Sequence, residues 1–272
     1  MRKIFFTLFL IIFFAVPSTA EENRAYFPPV LMYHDIKLEA QNNFDVVIED
    51  FCSQLDWLKE NEYITLSMED FCSYVREGKE FPEKSVLITF DDGYSGIFNY
   101  AYPELKKRGM KATAFIISDM LGVFSSVYFH ITERQLKEMT DSGVFSVGSH
   151  TLTHPDFTKL NHDDMDTEIE ESKKDIEEIT GKKILAFAYP YGYYSPEIIN
   201  KLKKAGYEAG FAVENGELMG EKARWSIPRI YMGMILAKDD NKLFKEFIKN
   251  YKDMPPEAFA ERYEWLRDAK KE

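Results

Sequence analysis

Short apolar runs alternate with amphipathic stretches along most of this chain, and no other feature restricts its possible folds as strongly. The runs at 29–33, 63–66, 85–90, 111–117, 145–148, 184–188, 208–213 and 227–231 read as strands. The most continuous of them, 85–90, has the character of a strand buried on both faces. Between them, 49–60 presents Phe51, Leu55 and Leu58 on one helical face. The stretch 163–180 does the same with Met165, Ile169, Ile176 and Ile179 above an acidic, solvated side, and Gly181 stops it. Further helices are expected after Ser67 (with Asp70 as a capping pair), from Gly93 to Arg108, over 132–140 and over 196–205. Strand followed by helix, repeated, predicts βα units and a parallel sheet. About seven such units in one domain favour a closed or nearly closed barrel, whose chemistry gathers at the C-terminal ends of the strands.

The N-terminus stands outside this pattern. Arg2 and Lys3 precede an apolar run, and Ser18, Thr19 and Ala20 offer small residues for cleavage. Residues 1–20 are therefore expected to be a signal peptide, with a retained anchor as the alternative. The expected divisions that follow are a linker at 21–27, a barrel domain at 28–236 and a C-terminal helical extension at 237–272. The mature chain is expected outside the cytoplasm (periplasmic, secreted or associated with the envelope), with no stable membrane span. Its oligomeric state is left open. The formal net charge of −12 argues against nucleic acid and anionic membranes as partners and leaves a neutral or cationic glycan unhindered. Cys52 and Cys72 are the two cysteines; an oxidising compartment permits a bridge, and sequence leaves free thiols equally open.

Four segments deliver polar residues directly after apolar strands: His34, the pair Asp91-Asp92, His150 and Tyr191. Adjacent carboxylates at the end of a buried strand repel unless a cation shares them or one is protonated. An ordinary Asp-Gly turn would need only one of them. His150 and His154 are spaced so that a tight turn aims both rings at one point, a frequent zinc geometry; two exposed loop histidines are the alternative. Two histidines and one carboxylate leave a position open on a divalent ion, which lowers the pKa of water towards about 7. The second carboxylate is then free to accept the proton.

The strings TFDDG (89–93) and HTLTH (150–154) resemble the first two motifs of the polysaccharide deacetylase family, the NodB-homology or carbohydrate esterase family 4 enzymes. The similarity extends over roughly 29–231. It implies an α/β fold, a deformed (β/α) barrel of the NodB-homology type, that removes acetyl groups from glycans. It also implies Asp91 as catalytic base and Asp92, His150 and His154 as ligands of a divalent metal, Zn2+ or else Co2+, Ni2+ or Fe2+. The third family motif, Arg-x-Pro-Tyr, corresponds to Ala188-Tyr189-Pro190-Tyr191, so the arginine that steadies the base is missing. Arg229 is the candidate substitute, against the alternative of a surface arginine paired with an acidic helix. Pro190 and the backbone of Tyr191 are implied at the oxyanion. No histidine follows His162 to supply the usual late acid. The string LMYHD (31–35) is similar to the poly-N-acetylglucosamine deacetylase branch, in which an early histidine serves, and this implies His34. The expected activity is N-deacetylation of an N-acetylglucosamine-containing glycan; an O-acetyl esterase and a non-catalytic glycan-binding relative are the alternatives.

Overall fold

A computed structural model of the protein describes residues 27–124, 128–213, 223–233 and 241–251. The expected signal peptide and all of the expected linker except Phe27 lie outside the described residues, as does most of the expected C-terminal extension.

Among the described residues there are ten strands: β1 (Val30–Tyr33), β2 (Asp35–Lys37), β3 (Asp45–Val47), β4 (Ile64–Thr65), β5 (Ser85–Phe90), β6 (Ala112–Ile116), β7 (Phe145–Ser149), β8 (Ala186–Ala188), β9 (Ala209–Phe211) and β10 (Ile230–Tyr231). Seven helices accompany them among the same residues: α1 (Ile48–Glu60), α2 (Met68–Glu77), α3 (Tyr102–Arg108), α4 (Glu133–Asp141), α5 (His162–Thr180), α6 (Pro196–Lys204) and α7 (Lys242–Asn250). The main sheet is parallel and runs β10-β1-β5-β6-β7-β8-β9, with β4 beside β5. Its two edges meet. Ile227 bridges Phe211 of β9, Arg229 N donates to Val213 O, and from the next residue the same segment is β10, paired with β1. The segment 227–231 thus closes the curled sheet into a barrel, as the alternation predicts, of the deformed (β/α) type that the family resemblance implies.

Strand alternation sorts side chains between two cores. Val86, Ile88 and Phe90 of β5 pack outward under the helices, with Leu31, Tyr33, Phe145, Val147 and Phe187. Leu87 points into the barrel with Val30, Phe115, Ala186, Ala188 and Phe211. Phe27 belongs to this interior, stacking on Phe71 at 5.8 Å.

Local signals act as expected at the helix ends. Ser67 accepts from Asp70 N, Thr132 and Gln135 form a reciprocal capping box, and Gly109 and Gly181 end α3 and α5 in left-handed conformations. Two features depart from expectation. The helix after Gly93 starts late, with a π turn at Ile97–Ala101 before α3. A two-stranded parallel sheet, β2-β3, sits beside it. Gly96 joins the two, because a Cβ there would stand 2.1 Å from Asp35 Oδ1 and from Ile36 O. Cys52 and Cys72 are both free thiols, and burial pushes Cys72 up to about 12. No helix among the described residues is long and apolar enough to cross a membrane.

Candidate metal centre and the carboxylate beside it

The alternation that sends Leu87 inward brings Asp91 to the barrel mouth just beyond the end of β5, while Phe90 faces the helices. Asp91 is 2% exposed. Asp92 and Gly93 then adopt left-handed backbone, with φ of 67° and 81°, and this turn aims the second carboxylate differently from the first. On β7, Phe145 and Val147 face outward and Ser149 Oγ lies 2.7 Å from Ser172 Oγ of α5, so the next residue, His150, turns inward. Thr151 and His154 are also left-handed, with φ of 74° and 63°, and the loop between them brings the second imidazole back onto the first. The two ring centroids are 4.7 Å apart.

One oxygen of Asp92 and one nitrogen from each of His150 and His154 lie within 4.8 Å of one another, the three-ligand cluster expected from the sequence. Asp92 Oδ1 is 3.5 Å from His150 Nε2 and 3.9 Å from His154 Nε2. Side-chain exposure rises from 3% at His150 through 12% at Asp92 to 24% at His154, so the cluster opens to solvent on the His154 side. His150 donates its Nδ1–H to Ala188 O at 2.8 Å, which leaves Nε2 facing the carboxylates. Burial, reinforced by His150, lowers the pKa of His154 and favours its neutral form. The donor set therefore fits a divalent ion: two imidazoles, a carboxylate and an open side.

Asp91 is held apart from this set. Arg229, fully buried, grips both its oxygens: Nη1 donates to Oδ1 at 2.6 Å and Nη2 to Oδ2 at 2.8 Å. Arg229 Nε donates to Ala212 O at 2.8 Å, and the guanidinium lies over the Phe115 ring. Burial alone would raise the Asp91 carboxyl, but Arg229, with His150 and His34, outweighs it and holds the group at about 2. The position that carries arginine in the third motif is Ala188, whose contribution is the carbonyl that orients His150.

His34 follows β1. Its ring meets Phe44 at 5.1 Å and Tyr231 at 5.4 Å, both edge-on, and Nδ1 is buried with no hydrogen-bond partner among the described residues. Asp35 does not serve it; that carboxylate accepts from Gly96 N and faces Lys37. Pro190 is buried, while Tyr191 is left-handed with φ of 58°, 59% exposed, and 4.9 Å from the His154 ring. His130 is buried and bonds Val123 O; His162 opens α5 and pairs with Glu197.

Some contributors escaped the sequence reading. Tyr94 lies beside Asp92, and burial together with that carboxylate pushes its phenol up. Glu168, in the acidic helix, accepts from Leu152 N, Thr153 N and Thr153 Oγ1. A signal for Glu168 did exist: it falls three residues after Met165 and four before Ser172, on the stripe that carries Ile169.

The polysaccharide deacetylase family model matches residues 78–210. The Bacillus subtilis protein YxkH, whose name carries the same family designation, is 35% identical over 202 residues, 74% of this chain and 70% of that one. The poly-beta-1,6-N-acetyl-D-glucosamine N-deacetylase of Staphylococcus epidermidis is 32% identical, over 77% of this chain and 73% of that one. Among solved structures, the Streptococcus pyogenes deacetylase PplD in complex with acetate superposes with a TM-score of 0.69 at 28% identity, covering 80% of this chain and 96% of that chain. IcaB from Ammonifex degensii, at 24% identity over 76% of this chain and 93% of that chain, shares the fold with a TM-score of 0.67. By motif, barrel and relatives together, the chain belongs to the polysaccharide deacetylase family.

Proposed function

We propose that this protein is an exported, divalent-metal-dependent deacetylase that hydrolyses the N-acetyl groups of an N-acetylglucosamine-containing glycan. One observation carries the reading: an ionised, arginine-clamped carboxylate stands beside three convergent ligand atoms without being one of them. The name of the staphylococcal relative supports the substrate class. Export, with residues 1–20 removed ahead of a barrel domain extending to about residue 236, rests on the N-terminal pattern.

In this assignment Asp92, His150 and His154 hold the ion, Zn2+ or one of Co2+, Ni2+ and Fe2+. When bound, it supplies the Lewis acidity that makes water and the acetyl carbonyl reactive enough for a base as weak as Asp91. Asp91 accepts the proton of the attacking water, and Arg229 fixes the direction of its oxygens. The Tyr191 N–H, beside Pro190, donates to the developing oxyanion. The C–N bond breaks, acetate leaves, and His34 gives a proton to the departing amine. Asp91→Asn is expected to keep the metal and lose about 10²–10⁴ in kcat. His154→Ala is expected to lose both, as read by metal analysis and acetate release. Full turnover in Asp91→Asn would overturn the assignment of the base.

A second reading, O-acetyl ester hydrolysis on a glycan such as xylan, is favoured by one observation. Among the described residues His34 Nδ1 lacks a partner to support an acid, and an alkoxide needs less protonation than an amine. Assays on N- and O-acetyl substrates with His34→Ala separate the two: N-deacetylation should fall far more than ester cleavage. The Arg229–Asp91 pair weighs against a non-catalytic relative, since it supplies the clamp that the third motif lacks.

A further inference from the structure

We infer that Glu168 is a positioning residue for the metal: its carboxylate sets the shape of the loop that presents His150 and His154, and so sets the affinity for the ion. The inference rests on the metal reading above. The loop 150–154 is an unfavourable piece of chain, with two non-glycine residues in left-handed backbone at Thr151 and His154. Such a conformation persists only where its surroundings dictate it. Glu168 belongs to α5, not to the loop, and is 8% exposed. One of its oxygens accepts from both Leu152 N and Thr153 N at 2.9 Å, and the other accepts from Thr153 Oγ1 at 2.6 Å. Charge-assisted bonds of this kind are stronger than neutral ones, and here they hold consecutive residues midway between the two ligands.

The remaining polar groups of the loop are tied down around that anchor. Thr151 N donates to Ser149 Oγ, which meets Ser172 one helical turn along α5 from Glu168. Thr151 Oγ1 accepts from His154 N at 2.8 Å. Ser118 N and Asp119 N donate to the carbonyls of Thr151 and Leu152. Of these anchors, only Glu168 brings a side-chain charge. Replacing it by glutamine keeps the volume but turns an NH2 towards donors, so at least one N–H or hydroxyl loses its acceptor.

The test uses the full mature protein, stripped of metal, titrated with Zn2+ against a competing chelator and with Co2+ while its visible absorption is recorded. Glu168→Gln is expected to weaken Zn2+ binding about 10–100-fold and to alter the Co2+ bands, the signature of displaced imidazoles, at temperatures where the variant is fully folded. Thr153→Val, which removes one of the three bonds, is expected to weaken it about fivefold. Zn2+ affinity within twofold of the parent in Glu168→Gln overturns the inference; if that variant does not fold, the same result in Thr153→Val overturns it. His154→Ala runs alongside. If the parent takes up no Zn2+, or His154→Ala binds it as tightly as the parent, the metal reading itself falls. Loss in His154→Ala with Glu168→Gln unchanged sinks the Glu168 inference alone.

Discussion

The carboxylates of Asp91 and Asp92 differ by environment, not by chemistry. Both leave the same strand end, but the left-handed turn at Asp92 exposes one to the histidines and leaves the other to Arg229. The two-pronged grip also makes a specific demand on residue 229. Lysine keeps the charge but offers a point, not a fork, so it cannot hold both oxygens or reach Ala212 O as well. Arg229→Lys is expected to lower kcat at least tenfold with KM little changed, and to cost about 1–3 kcal/mol in urea denaturation. Wild-type turnover in that variant would remove Arg229 from the site. The ligands were legible because each motif is compact: Asp91-Asp92 are adjacent and the histidines four apart. The arginine was visible only as a possibility, since it stands 138 residues from its partner and nothing local records the pairing. Glu168 was hidden by its neighbours, because in an acid-rich helix one more glutamate looks like solvated surface.

Among the elements, the strands of the main sheet and their helices follow from apolar runs, caps and stops. The β2-β3 pair does not, because three-residue strands carrying Asp and Lys have no apolar signature to read. That small sheet contains a buried titrating group. Burial pushes Asp35 up to about 6; Lys37 opposes the shift and Asp45 adds to it, while Gly96 N donates to the carboxylate. Since the folded pKa lies above the ordinary value, folding favours the protonated form. The stability it contributes is complete below about pH 4 and is lost as pH rises through about 6. The amount is on the order of 2–3 kcal/mol. Asp35→Asn retains an acceptor for Gly96 and should flatten this dependence. Thermal melts of the two proteins at pH 5 and pH 7 measure it, and an equal change in both would assign the titration elsewhere.

For the molecule as a whole, a metal that binds only the folded chain adds stability by mass action, about 2.7 kcal/mol when its free concentration is a hundred times Kd. Chelation should therefore lower Tm by roughly 5–10 °C and abolish acetate release, with both restored by added Zn2+. A Tm indifferent to chelator would count against a resident ion. The three proposed ligands all lie between residues 92 and 154, whereas the clamp on Asp91 arrives on the strand that seals the barrel. A chain stopped short of residue 227 would hold every ligand yet leave its base unaimed. On the proposed reading, turnover thus depends on a closing stave that contributes none of the three ligands.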